Sequence, residues 1–181
     1  MLSNNKQKSY LALGLIVLAV ISRFIPHPAN FTPLMAMSIF AGILFIDKRF
    51  AFIIPIVAMI LTDIVLGLHS AIPFVYFSLI IGVVSGFFLK KNLKFSRVLI
   101  FSVANSIQFY LITNFGFWLT GGLYPLTLSG LMEAYFMGLP FLSHSSISLF
   151  GWTLAGDLTF NISFFGIIQL ADKLIPKPVK I

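Results

Sequence analysis

The chain has 181 residues, 59% of them hydrophobic and 9% charged, with a formal net charge of +7 and a mean hydropathy of +1.01. A soluble domain carries roughly 25% charged residues, so this composition excludes a soluble core and calls for a bilayer, where one span takes about 20 apolar residues. The basic residues lie in segments too short to build a nucleic-acid-binding module, and the lack of cysteine excludes disulfides, thiolate ligands and cysteine nucleophiles.

Six apolar stretches are predicted as membrane spans, near 9–25, 31–46, 50–67, 71–89, 98–120 and 149–171, in one transmembrane domain covering 1–181. Lys6 and Lys8 precede the first stretch like the start of a signal peptide. Arg23, Pro26 and His27 follow it without a small-residue cleavage site, so it reads as an uncleaved span. Pro26 and Pro28 break the helix and force an extended turn, and Pro33 opens the second, short span, where its missing N–H costs nothing. Asp47, Lys48 and Arg49 form a tight turn into span three, which carries Pro55 and then Thr62 and Asp63. Ser78, Gly82 and Gly86 stripe span four at intervals of four, the pattern that lets helix backbones approach closely in lipid.

Span five holds Asn105, Gln108 and Asn114, then Trp118 where an interface is expected. The one long connection, 121–148, starts with Gly121, Gly122, Tyr124 and Pro125 and contains no Lys or Arg. Residues 127–139 are predicted as a short helix, capped by Thr127 and stopped near Pro140, apolar enough to lie in the interface or to fold over the bundle as a lid. Span six carries Trp152, Asp157 and Asn161.

With six spans, eleven of the twelve Lys and Arg residues fall on one face and Arg23 stands alone on the other. Cytoplasmic loops carry the excess of Lys and Arg, so both termini are expected in the cytoplasm. A seventh span in 121–148 would leave eight on one side and four on the other, and is rejected on that ground. The localisation expected is the bacterial cytoplasmic (inner) membrane, with the lipid bilayer itself as the first partner.

Polar residues inside spans carry the functional signal, because an acid at mid-span costs about 2.5–3.5 kcal/mol on insertion scales. Counting from the loops places Asp63, Asn114, Asp157 and Asn161 toward the non-cytoplasmic side, along with Arg23, His27, Asn30, His69 and His144. Each has a plainer reading. Arg23 is either an interfacial anchor or the counter-charge of Asp63 or Asp157. The aspartates either tie helices together or bind a ligand. Asn105 and Gln108 read as interhelical hydrogen-bonding groups, and the histidines as turn or loop residues. Trp118 and Trp152 are interface anchors first and ligand-packing surfaces second. No two histidines share a helix at metal-ligand spacing, so a transition-metal permease is a weak alternative and no metal or other cofactor is expected. Leu154-Ala155-Gly156-Asp157 lacks the first glycine of the intramembrane aspartyl protease motif. No phosphate-cradling loop is present, so ATP energy would come from another subunit.

Three segments carry a resemblance: Arg23–Pro33 (RFIPHPANFTP), Leu61–His69 (LTDIVLGLH) and Thr113–Pro125 (TNFGFWLTGGLYP). Together they resemble a bacterial family of small membrane proteins of unknown function that carries a transport label. That family in turn looks related to the substrate-binding S components of energy-coupling-factor (ECF) vitamin transporters. The resemblance implies a six-helix bundle, cytoplasmic termini, a substrate pocket near the outer face capped by loops, and a coupling subunit with ATPases as partners. S components typically present Ala-x-x-x-Ala on the first helix. Ala12, Gly14 and Ala19 do not make that spacing, which leaves solitary action or docking through another surface, such as the Ser78-Gly82-Gly86 stripe.

The expectation is therefore a non-enzymatic, substrate-capturing membrane subunit for uptake of a small, vitamin-like nutrient. Arg23, His27, Asn30, Asp63, His69, Asn114, Trp118, Trp152, Asp157 and Asn161 are its candidate binding residues, and Gly121, Gly122 and Tyr124 belong to its lid. The alternative is a structural or assembly protein in which the same polar groups only pack helices.

Overall fold

A computed structural model of the chain describes residues 5–137 and 149–174. They form seven helices: α1 (Asn5–Ser22), α2 (Leu34–Leu44), α3 (Lys48–Leu66), α4 (Ile72–Lys90), α5 (Phe95–Thr120), α6 (Leu128–Met137) and α7 (Leu149–Leu174). A helix occupies the interior of each apolar stretch, and no strand is found among the described residues. His144, Pro140, Lys177, Lys180 and the lid residues 138–148 lie outside them.

Four helices, α3, α4, α5 and α7, are long and apolar enough to cross a membrane, so the architecture is that of a helical membrane protein. Lipid is the solvent that suits its surface: Leu61, Val65 and Ile100 are each 60% exposed or more, a display of apolar side chains that water would penalise. The six-span expectation thus meets four full-length helices, and the difference lies in α1 and α2. The first turn of α1 is polar through Asn5, Lys6, Gln7 and Lys8. The 11 residues of α2 rise only about 16 Å, roughly half the 30 Å hydrocarbon thickness.

The short helix α2 is the core of the molecule. Met35 through Leu44 are all buried, leaving only Leu34 partly exposed, so the helix is enclosed on every side. Its neighbours are α1, α3, α4 and α7, with the most extensive packing against α4. That closeness is a consequence of glycine. A Cβ on Gly86 would fall on the carbonyl oxygen of Ile39, and one on Gly42 would fall on that of Val83. A Cβ on Gly82 would stand 2.7 Å from Met35 Sδ. The Ser78-Gly82-Gly86 stripe is therefore consumed inside the protein. It is not the alternative docking surface suggested above, because α2 already occupies it.

The basic loops gather at one end of the bundle. Lys90 Nζ donates to the Phe45 carbonyl (2.9 Å), placing a cation at the C-terminus of α2, where the helix dipole favours it. Lys48 stands over the Phe87 ring, which joins the same two loops. The entry to α3 is fixed by Asp47, whose carboxylate accepts from Arg49 N–H (2.8 Å). The opposite end is made by segments 23–33, 67–71 and 121–127.

Candidate functional site

At that non-basic end lies a cleft of two chambers, about 380 Å³ and about 220 Å³. Asn30, His69, Val75, Phe109 and Thr153 line both, so the chambers adjoin. The larger is mainly apolar, its walls including Phe109, Tyr110, Phe117, Tyr124 and Phe150, with Thr113 and Asn114 among its polar groups. The smaller is about evenly polar and apolar, with Arg23, His27, Asp63, His69 and Asp157 among its walls.

The chain conformation at each position explains why these side chains arrive there. Asn30 adopts φ 66°, the left-handed conformation that Asn tolerates better than most residues, and turns the segment between α1 and α2. Phe31 N–H to Pro28 O (3.0 Å) and Thr32 N–H to Asn30 O (3.0 Å) hold that turn. Gly67 (φ 112°) ends α3 and releases the chain toward His69. Gly122 (φ 69°) turns the chain after α5, which brings Tyr124 over the larger chamber.

Arg23 and Asp63 form an ion pair at 2.6 Å, joining α1 and α3 at the end away from the basic loops. The same guanidinium donates to Thr62 Oγ1, and Tyr76 on α4 donates to the second oxygen of Asp63 (2.8 Å). Both carboxylate oxygens are thus satisfied. Of the two roles read for Arg23, the structure has the counter-charge, and its partner is Asp63.

Asp157 is different. It is 3% exposed, and among the described residues its carboxylate receives one hydrogen bond, from Ser106 Oγ on α5 to Oδ2 (2.6 Å). One turn further along α7, Asn161 donates to the Asp157 carbonyl (2.7 Å), fully buried and away from both chambers, with its own Oδ1 unpaired. Gly156 lets α7 press against the turn before α2, since a Cβ there would lie 3.0 Å from Thr32 N.

The remaining expected residues divide in two groups. His27, His69, Asn30, Asn114 and Tyr124 line the cleft. Asn114 also donates to the Tyr110 carbonyl (2.8 Å). Trp118 and Trp152 do not line it: Trp118 donates to the Pro125 carbonyl (2.8 Å), and Trp152 packs edge-on against Phe31. Gly121 and Gly122 shape the loop without facing either chamber. Asn105 and Gln108 tie α4 to α5, Asn105 accepting from Ser85 (3.2 Å) and the Gln108 amide, in its hydrogen-bonding orientation, donating to the Ser78 carbonyl (3.2 Å). Among the described residues no three His, Asp or Glu side chains converge as metal ligands, and His144 lies outside them.

Sequence reasoning missed Tyr76, Phe109, Tyr110, Phe117, Phe150, Thr153 and Ser106. Tyr76 had a signal. It and Asp63 stand nearly equidistant from the tip of the 67–71 turn, on antiparallel neighbours, so a phenol there is placed to meet the acid.

Helix α6 covers the larger chamber with Ala134 and Met137. Thr127 caps it as expected, accepting from Gly130 N–H (3.2 Å). A pair of tyrosines fixes α6 to α5: Tyr110 donates to the Tyr135 carbonyl, and Tyr135 donates to the Leu111 carbonyl (3.1 Å). Burial pushes the Tyr135 phenol up from its ordinary value, so it stays a donor at neutral pH.

Residues 3–178 match the model of a family of unknown function, DUF6580, and the chain belongs to that family. No curated protein and no solved structure matches it.

Proposed function

We propose that the chain is a substrate-capturing membrane subunit for uptake of a small, vitamin-like nutrient across the bacterial cytoplasmic membrane. The observation that carries this reading is the two-chamber cleft at the end away from the basic loops. Its larger chamber, about 380 Å³, lies within the 300–1,000 Å³ typical of small-molecule sites, and it combines an aromatic wall with a few polar groups. If the basic loops face the cytoplasm, with both termini beside them, the cleft opens outward. The α6 segment then serves as its lid. Binding and release need no covalent step, so no enzymatic role is assigned. An ECF-type coupling subunit with ATPases remains the partner this reading favours. Ala12 and Ala19 are turned into the bundle, so such a partner would meet the Gly14 face of α1 or a different helix.

Native mass spectrometry of the protein as purified tests the proposal directly, since a captured ligand reports its mass. A thermal-shift screen of vitamins against wild type, Asn114→Ala and Phe109→Ala accompanies it. Stabilisation of wild type that both variants weaken supports a ligand site. Absence of any bound mass, together with no stabilising compound, sinks it. A structural or assembly role is favoured by one observation, the complete internal satisfaction of Asp63. That role predicts stable protein partners in a mild-detergent pull-down and no ligand.

A further inference from the structure

Resting on the ligand-binding reading above, we propose that the cleft selects an aromatic molecule bearing a protonated amine, with the amine seated against Asp157. The argument begins with charge. The smaller chamber contains two carboxylates, Asp63 and Asp157, one guanidinium, Arg23, and the imidazoles of His27 and His69. Arg23 is committed to Asp63 at 2.6 Å, and Tyr76 takes the remaining oxygen of that acid. Asp157 has no such partner. Among the described residues its only side-chain hydrogen bond comes from Ser106 to Oδ2, and no Lys, Arg or His pairs with it. Among the described residues Oδ1 has no donor, on a side chain that is 3% exposed and lines the chamber.

An isolated carboxylate removed from water carries a penalty of several kcal/mol that a cation at hydrogen-bond distance offsets. The N-terminus of α2 opens on the same chamber without a side-chain cap, through Leu34 and Met35. It contributes about half an elementary charge at most and makes no hydrogen bond to Asp157, so among the described residues no cation stands at hydrogen-bond distance from that acid. An anionic ligand group would meet an acid with no cation beside it among the described residues, and the ionised form of that acid repels it. A cationic nitrogen with N–H groups supplies both the charge and the donor that Oδ1 lacks.

The rest of the molecule follows from Thr153. It lies one turn from Asp157 on α7 and lines both chambers, so a ligand held at Asp157 passes it into the larger one. There the walls are Phe109, Tyr110, Phe117 and Phe150, which suit a flat ring. The selected class is therefore an aromatic or heteroaromatic ring joined to an amine by a short linker.

Three indoles that differ only in the side-chain terminus provide the test: tryptamine (cation), tryptophol (neutral) and indole-3-acetate (anion). Dissociation constants are measured on the detergent-solubilised full chain for wild type, Asp157→Asn and Ser106→Ala. The expected result is tryptamine binding at least tenfold more tightly than tryptophol, with indole-3-acetate weakest. Asp157→Asn abolishes that order. Ser106→Ala keeps it, because the carboxylate remains, and so guards against a folding artefact in the first variant. Equal or tighter binding of the alcohol or the acid, or an order unchanged in Asp157→Asn, overturns the amine assignment while leaving a ligand site in place. Failure of all three to bind wild type overturns it as well, and the captured mass and vitamin screen then decide separately whether the cleft binds anything.

Discussion

Asp63 and Asp157 are both buried aspartates on long apolar helices, and both face the same chamber, yet they are built differently. Asp63 is held by Arg23, with Tyr76 on its second oxygen, and through them it clamps α1, α3 and α4 together. Asp157 is held by one serine hydroxyl. A carboxylate whose oxygens are all satisfied by its own protein is a structural part, and adding a ligand would break bonds already made. A carboxylate left half-satisfied beside a cavity has capacity for something else. The contrast assigns stability to one acid and recognition to the other.

The most damaging way to test that division is Arg23→Leu, which strands Asp63 as an uncompensated buried charge. A loss of about 3–5 kcal/mol in unfolding free energy is expected, and the double variant Arg23→Leu/Asp63→Leu should recover much of it. Denaturant titration followed by circular dichroism measures both, and equal losses in the two would refute the clamp. Tyr76→Phe removes one hydrogen bond to a charged group, for an expected cost of about 1.5–3 kcal/mol in the same assay. Thr127→Ala, remote from both acids, removes the α6 cap at about 1 kcal/mol, with the loss read as faster proteolysis of the 121–137 segment. Asp157→Asn should have the smallest effect on stability, under about 1 kcal/mol, since Ser106 can still donate to the amide oxygen. If Asp157→Asn instead unfolds the protein as Arg23→Leu does, the two acids are equivalent and the division fails.

How far this could be read from the sequence differs by feature. The helices were legible because long apolar runs and intervening basic turns leave little choice in a bilayer. Arg23 as a counter-charge was legible as an option, being the lone cation on its face. What hydropathy cannot distinguish is a short span from an internal helix: residues 31–46 are as apolar as their neighbours, and only packing reveals that α2 is enclosed. The glycine stripe announced a close approach without saying to which helix. The wall of the larger chamber was illegible for a related reason. With 21 phenylalanines in the chain, no single one stands out, and neighbours on a helix point about 100° apart. Trp118 was the conspicuous residue, while Phe117, one position away, is the one that faces the cleft. Ser106 gave no warning, because a serine in an apolar helix ordinarily bonds its own backbone; here the Ser102 carbonyl, 3.0 Å away, shares the one hydroxyl proton with Asp157 Oδ2.

The length of α2 has a last consequence. A helix about 14 Å shorter than the hydrocarbon thickness omits roughly nine residues' worth of cylinder. The smaller chamber begins where that cylinder would have continued, beside Thr32, Leu34 and Met35. Its hollow is thus the mould of an absent half-helix, and it is defended by Pro26, Pro28 and Pro33, whose rings forbid the preceding segment from winding up and filling it. The prolines never need to touch a ligand to make room for one.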